Sequence, residues 1–139
     1  MKKIIKYTIL IIAIVLLFIA YSYFSTTNPK DVKFEALDEF RQYVLTTYEV
    51  DEMKIYFSRP SLWIEINSET KLSDKEIANI KEKLKPIINK QNMDIISNKY
   101  WAKDSSLSYV HVLFNEKKND TKTNYLEFVL TQRKRYEDW

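Results

Sequence analysis

The hydrophobic pattern of the chain falls into two regimes. From Tyr7 to Phe24 no residue is charged, and from Ile9 to Ile19 every residue is apolar. A helix packed on a soluble core would carry a polar stripe at the helical period, and this segment has none. Eighteen residues at 1.5 Å rise extend roughly 27 Å, close to the hydrocarbon thickness of a bilayer. The pattern therefore predicts a transmembrane signal-anchor helix over residues 7–24. Lys2, Lys3 and Lys6 precede it without an intervening acid, which places a basic flank, residues 1–6, in the cytoplasm. Tyr7, Tyr21, Tyr23 and Phe24 stand where aromatic side chains favour the membrane interface. The expected topology is a single-pass protein of the cell membrane with its C-terminal part outside. The competing expectation is a removable signal peptide ending near Ala20 and Ser22, although no A-x-A triplet is present.

Residues 25–33 are polar and contain Asn28-Pro29, which ends a helix and favours a turn. They are expected to form a linker, followed by an extracytoplasmic domain over 34–139. Leu37, Phe40, Val44 and Tyr48 recur at three- and four-residue spacing, which predicts a helix over Glu35–Tyr48. Met53, Ile55 and Phe57 alternate with polar residues, as do Leu62, Ile64 and Ile66 with Trp63, Glu65 and Asn67. These runs predict two strands joined by a turn at Arg59-Pro60-Ser61. Ser73 and Glu76 have capping-box spacing ahead of the stripe Ile77, Ile80, Leu84, Ile87 and Ile88, and Pro86 should stop or kink that helix. Asn92–Ser97, Ser106–Asn115 and Tyr125–Gln132 read as strands, with residues 116–123 as a polar hairpin loop. The predicted fold class is α+β. Its order is α-β-β-α-β-β-β, two layers deep, with an antiparallel or mixed sheet and the helices on one face.

Charge changes the picture less than its total suggests. The chain has 22 Lys and Arg against 19 Asp and Glu. Three of the bases are Lys2, Lys3 and Lys6, and no acid precedes Asp31, so the remainder holds 19 of each sign. The net charge of +3 belongs to the membrane flank, and the neutral domain offers no basic footprint for nucleic acid. There is no cysteine, which removes thiol catalysis, cysteine metal sites and N-terminal lipidation. There is no glycine either, which removes phosphate loops, dinucleotide fingerprints and the nucleophile elbow. Heavy use of Lys, Ile and Asn suits a bacterial genome.

Candidate chemistry is sparse. His111 is the single histidine, with no second His or Cys to complete a metal site and no nucleophile motif beside it. Glu65 and Glu127 both fall mid-strand and, on one sheet face, would form a carboxylate pair of the kind that cleaves glycosidic bonds, although nineteen acids make accidental pairs common and a domain this small offers little cleft. Trp63, Tyr100, Trp101, Tyr109 and His111 form the candidate interaction surface, because amphipathic aromatics are enriched at binding surfaces. Tyr100-Trp101, ahead of the polar residues 102–105, is the expected exposed pair. The C-terminal RKRYEDW reads as a solvated end or a basic cluster facing lipid headgroups.

These observations predict no cofactor, no metal and no catalytic activity. They predict an interaction module held at the bilayer, docking to another envelope protein in an accessory, inhibitory or immunity-type role. The alternatives are a carboxylate-dependent envelope glycan hydrolase and a secreted effector freed by signal cleavage.

Overall fold

The structure, a computed structural model, describes residues 2–139; within the first helix side chains are described for residues 7–8 and 10–23. The expected basic flank (Lys2, Lys3, Lys6) and the interfacial Phe24 lie outside the described side chains. Helix α1 runs Lys2–Thr27. Its side chains Leu10, Ile11, Ile14, Leu16, Leu17 and Phe18 are each more than half exposed. Among the described residues no helix is long and apolar enough to cross a membrane; described side chains in α1 run unbroken over 10–23 only.

The rest is α+β, with one five-stranded mixed sheet in the order β1-β2-β3-β4-β5. Strand β1 (Lys30–Asp31) pairs antiparallel with β2 (Glu52–Ser58), and β2 with β3 (Ser61–Ser68). Strand β3 then pairs parallel with β4 (Tyr109–Lys118), and β4 antiparallel with β5 (Thr121–Thr131). A parallel pair needs a crossover, and residues 69–108 supply it. They hold α3 (Asp74–Leu84) and α4 (Lys90–Tyr100), while α2 (Glu35–Thr47) lies between β1 and β2.

Each helix follows from a local signal. Ser73 accepts from the Glu76 amide and Glu76 Oε2 accepts from the Ser73 amide at 2.7 Å, completing the predicted capping box of α3. The helix stops at Leu84, ahead of Pro86, as the missing donor requires. Helix α4 corrects the strand expected over Asn92–Ser97. Asn89 caps it, accepting from the Asn92 amide at 2.9 Å, and Met93, Ile96 and Ser97 are buried on one side at helical spacing. The expected order is corrected with it: the fifth strand is β1, inside the stretch expected as linker, and the last three strands are not a meander.

Leu37, Phe40 and Val44 of α2, Ile77, Ile80 and Leu84 of α3, and Met93 and Ile96 of α4 join one core cluster. The sheet contributes Ile55, Phe57, Leu62, Ile64, Ile66, Val110, Val112, Phe114 and Leu130 to it. The alternate residues point to the opposite face, which none of α2, α3 and α4, packed into the core on the first face, covers.

Without glycine, tight turns fall to other residues. Asn119 and Asp120 both take positive φ, 48° and 61°, so the β4–β5 hairpin closes in two residues rather than across the longer loop expected. Asn and Asp tolerate this conformation at least cost among residues with a side chain. Arg135 and Tyr136 also take positive φ, and they turn the C-terminus back onto the core. Tyr136 is 1% exposed and its hydroxyl donates to the Leu107 carbonyl at 2.5 Å. The C-terminal segment is thus anchored by Tyr136 and not simply a solvated end.

Burial, with the Asp94 charge nearby, pushes the Tyr136 phenol up to about 12. Burial and the Tyr43 hydrogen bond do the same for Tyr48, also to about 12. Both phenols hold their protons more tightly folded than unfolded. Their contribution is intact below pH 10, the ordinary tyrosine value, and is lost as pH rises through about 12. Circular dichroism should show alkaline unfolding in that window, with a shallower pH dependence in Tyr136→Phe. An unaltered dependence in that variant would assign the transition to other groups.

Candidate functional site: the uncovered sheet face

The face opposite the helices is organised in rows across the strands. In one row Tyr56, Trp63, His111 and Val129 are direct cross-strand neighbours on β2, β3, β4 and β5. Trp63 and His111 stack with centroids 3.9 Å apart and planes 5° from parallel. Tyr56 lies on the other side of Trp63 at 6.2 Å and 3°. The rings therefore stand upright like books on a shelf, facing one another and presenting their edges outward. Tyr109 tilts against His111 at 6.1 Å.

The neighbouring row is Lys54, Glu65, Leu113 and Glu127. It supplies hydrogen-bond partners for the aromatic tips. The Tyr56 hydroxyl donates to Glu65 Oε1 at 2.8 Å, and Lys122 pairs with Glu65 Oε2. His111 Nδ1 donates to Glu127 Oε1 at 2.8 Å. Partial burial pushes the Glu65 carboxyl up, but the hydrogen bonds from Lys122 and Tyr56 and the charges of Lys122 and Lys54 outweigh it. The group is held below the usual carboxylate range. Burial and the same Glu65 contact raise the Tyr56 phenol. A third row is wholly polar: Asn115 Nδ2 donates to Asn67 Oδ1 at 2.9 Å, and Asn67 Nδ2 to Glu52 Oε2 at 3.1 Å. These partners explain how two asparagines can be buried on a sheet.

Of the predicted surface residues, the fold brings Trp63, Tyr109 and His111 together on this face. It places Tyr100 and Trp101 elsewhere. The Tyr100 ring packs on Phe57 at 6.4 Å, and its hydroxyl accepts from the Lys33 amide at 2.7 Å. It braces the chain entering the domain against the end of α4, so it is not a free docking residue. Trp101 is half-buried beneath the Arg59 guanidinium, 5.0 Å from the ring centroid. Val129, Leu113 and Lys122 complete the face and were not singled out in the sequence. Their signal was alternation, since Glu127 and Val129 share a strand face.

Chemically this is a rigid, self-satisfied surface. Tyr109 and Val129 are its most open apolar residues, at 44% and 41% exposure. Among the described residues no group of three His, Cys, Asp or Glu side chains could hold a metal. No family model, curated protein or solved structure matches the chain.

A carboxyl held low stabilises the fold above its ordinary value of 4.5, and that contribution is lost as pH falls through the lower folded value. Lys122→Met removes the pairing cation. The acid-unfolding midpoint should then move to higher pH, and an unchanged midpoint would show that the pair contributes nothing.

Proposed function

We propose that this chain is a membrane-anchored extracytoplasmic interaction module whose docking surface is the uncovered sheet face around Trp63 and His111. The carrying observation is that stack itself. Large aromatic side chains fixed by one another and by hydrogen bonds lose little freedom on binding, and such residues dominate protein interfaces. The occupant is another envelope protein, in an accessory, inhibitory or immunity-type role, that presents an apolar contact to Tyr109 and Val129.

Ring orientation favours a protein over a glycan or nucleic acid. Sugars and bases stack on open ring faces, whereas Trp63 has one face against His111 and the other towards Tyr56. The acids argue the same way. Glycoside hydrolysis needs one carboxyl kept protonated, but Glu65 is held below the usual carboxylate range.

The anchoring rests on α1. Its 26 residues would rise roughly 39 Å as a helix. Nine large aliphatic or aromatic side chains between Leu10 and Ile19 are about half exposed or more. At about 1.5–3 kcal/mol for each such side chain, water is a far costlier surrounding than lipid. The uncharged run Tyr7–Phe24 and the lysines before it set the direction.

A photocrosslinking residue at Tyr109, introduced into the full chain in its native membrane, should give one discrete protein adduct. The adduct should vanish with Trp63→Ala, and the same residue at Glu39 on α2 should not form it. Equal labelling at Glu39, or none on the sheet face, would overturn the docking surface. The chain should also stay with the membrane after alkaline carbonate washing and retain α1 by mass. A mature mass lacking α1 would point instead to a secreted effector.

A further inference from the structure

Strand β5 ends the sheet, and its outer backbone edge is open. It is 11 residues long and contains no proline. An edge strand normally carries protection such as proline, a covering segment or dense charge. Among the described residues no backbone hydrogen bond from outside β4 reaches β5 between Thr121 and Leu130. Beside this edge lies a groove of about 290 Å³ between β5 and α3, lined by Leu126 and Phe128 on one side and by Ile77, Ala78 and Lys81 on the other. Helix α3 runs in the same direction as β5. The Leu72 amide, just before its start, donates to the Tyr125 hydroxyl, and Lys81 farther along lies over the Phe128 ring at 3.9 Å.

We infer that β5 is a self-association edge, which pairs antiparallel with β5 of a second copy and joins two sheets into one of ten strands. Three features select a second copy. The first is shape: a two-fold axis through the Leu126–Phe128 stretch sets Leu126 and Phe128 of each copy at the mouth of the other's groove, as one apolar seam. The second is charge. The groove has Asp74 at one end and Lys81, Glu82 and Lys85 at the other. Lys85 pairs with Glu82, which leaves that end with one net positive charge, and a two-fold that reverses α3 faces each Asp74 with the net-positive end of the second copy, twice per pair. The third is area. A two-fold at Glu127 overlaps residues 123–131 of the two strands, an edge about 30 Å long and, with its helix layer, about 20 Å deep. That is roughly 600 Å² per copy, at the lower end of the ~600–1,000 Å² per partner of stable interfaces. This edge is distinct from the Trp63–His111 stack, and the inference does not depend on what that stack binds.

The chain has no native cysteine, so single cysteines report the contact directly. Asn124→Cys, Glu127→Cys, Val129→Cys and Thr131→Cys would be oxidised in the full chain in its native membrane, with Glu39→Cys as control. A symmetric antiparallel pair crosslinks to itself only near its axis. Disulfide dimer should peak at Glu127→Cys, on the axis, and fall several-fold at Val129→Cys, Asn124→Cys and Thr131→Cys. Lys85→Glu should lower the dimer yield several-fold at the peak position, and adding Asp74→Lys should restore it. A flat profile, a yield no greater than the Glu39→Cys control, or no rescue by the charge swap would overturn self-pairing. Adducts at these positions only with a different protein would also overturn it, by assigning the edge to a foreign strand.

Discussion

The parallel pairing of β3 with β4 is the constraint on which the rest of this domain depends. It joins two antiparallel hairpins into one sheet, with Ser61 opposite Tyr109 and Ser68 opposite Glu116. A shift of one residue would turn every inward side chain of β4 outward. Val110, Val112 and Phe114 would leave the core, and His111 would leave Trp63. The register is therefore held by burial on one face, and the aromatic stack on the other face follows from it. The pairing also obliges the chain to cross over, which puts α3 and α4 between the two strands.

Two polar arrangements keep this sheet specific. The Glu52–Asn67–Asn115 chain of hydrogen bonds spans β2, β3 and β4, and each asparagine is satisfied only when the three strands align. Buried amides without partners cost about 1–3 kcal/mol each, so this row opposes slippage. Glu65 acts similarly on the open face, gathering Tyr56 and Lys122 from different strands. The domain thus reaches a defined sheet with neither disulfide nor glycine, using Asn119 and Asp120 where a hairpin needs positive φ.

Legibility in the sequence followed the length and clarity of each pattern. Helices α2 and α3 and strands β2 and β3 were readable because their apolar spacing is unambiguous. Helix α4 was not. Met93 and Ile95 alternate as a strand would, whereas Met93, Ile96 and Ser97 follow a helix, and so short a run does not decide between them. The discriminating signal was Asn89 as a cap. Strand β1 has two residues and no pattern of its own, being formed by pairing with Phe57 and Tyr56. Tyr136 lay in a charged terminal run, and burial of one residue there leaves no periodic trace.

For the interaction surface, alternation alone assigned Trp63 and His111 to strand faces, but neither residue carries information about the other. Residues 69–108 separate the two strands, and only their path brings Trp63 over His111. The same path placed Tyr100 and Trp101 away from the face, since the end of α4 packs against Phe57 and Arg59. What the sequence determined by itself was local: the uncharged run Tyr7–Phe24, the neutral charge balance beyond it, the capped start of α3, and the alternation of the strands. Only the tertiary structure decided which aromatics meet, which edge stays open and which face lies bare. Those outcomes depend on contacts between distant segments, whose free energy appears only once the sheet has closed.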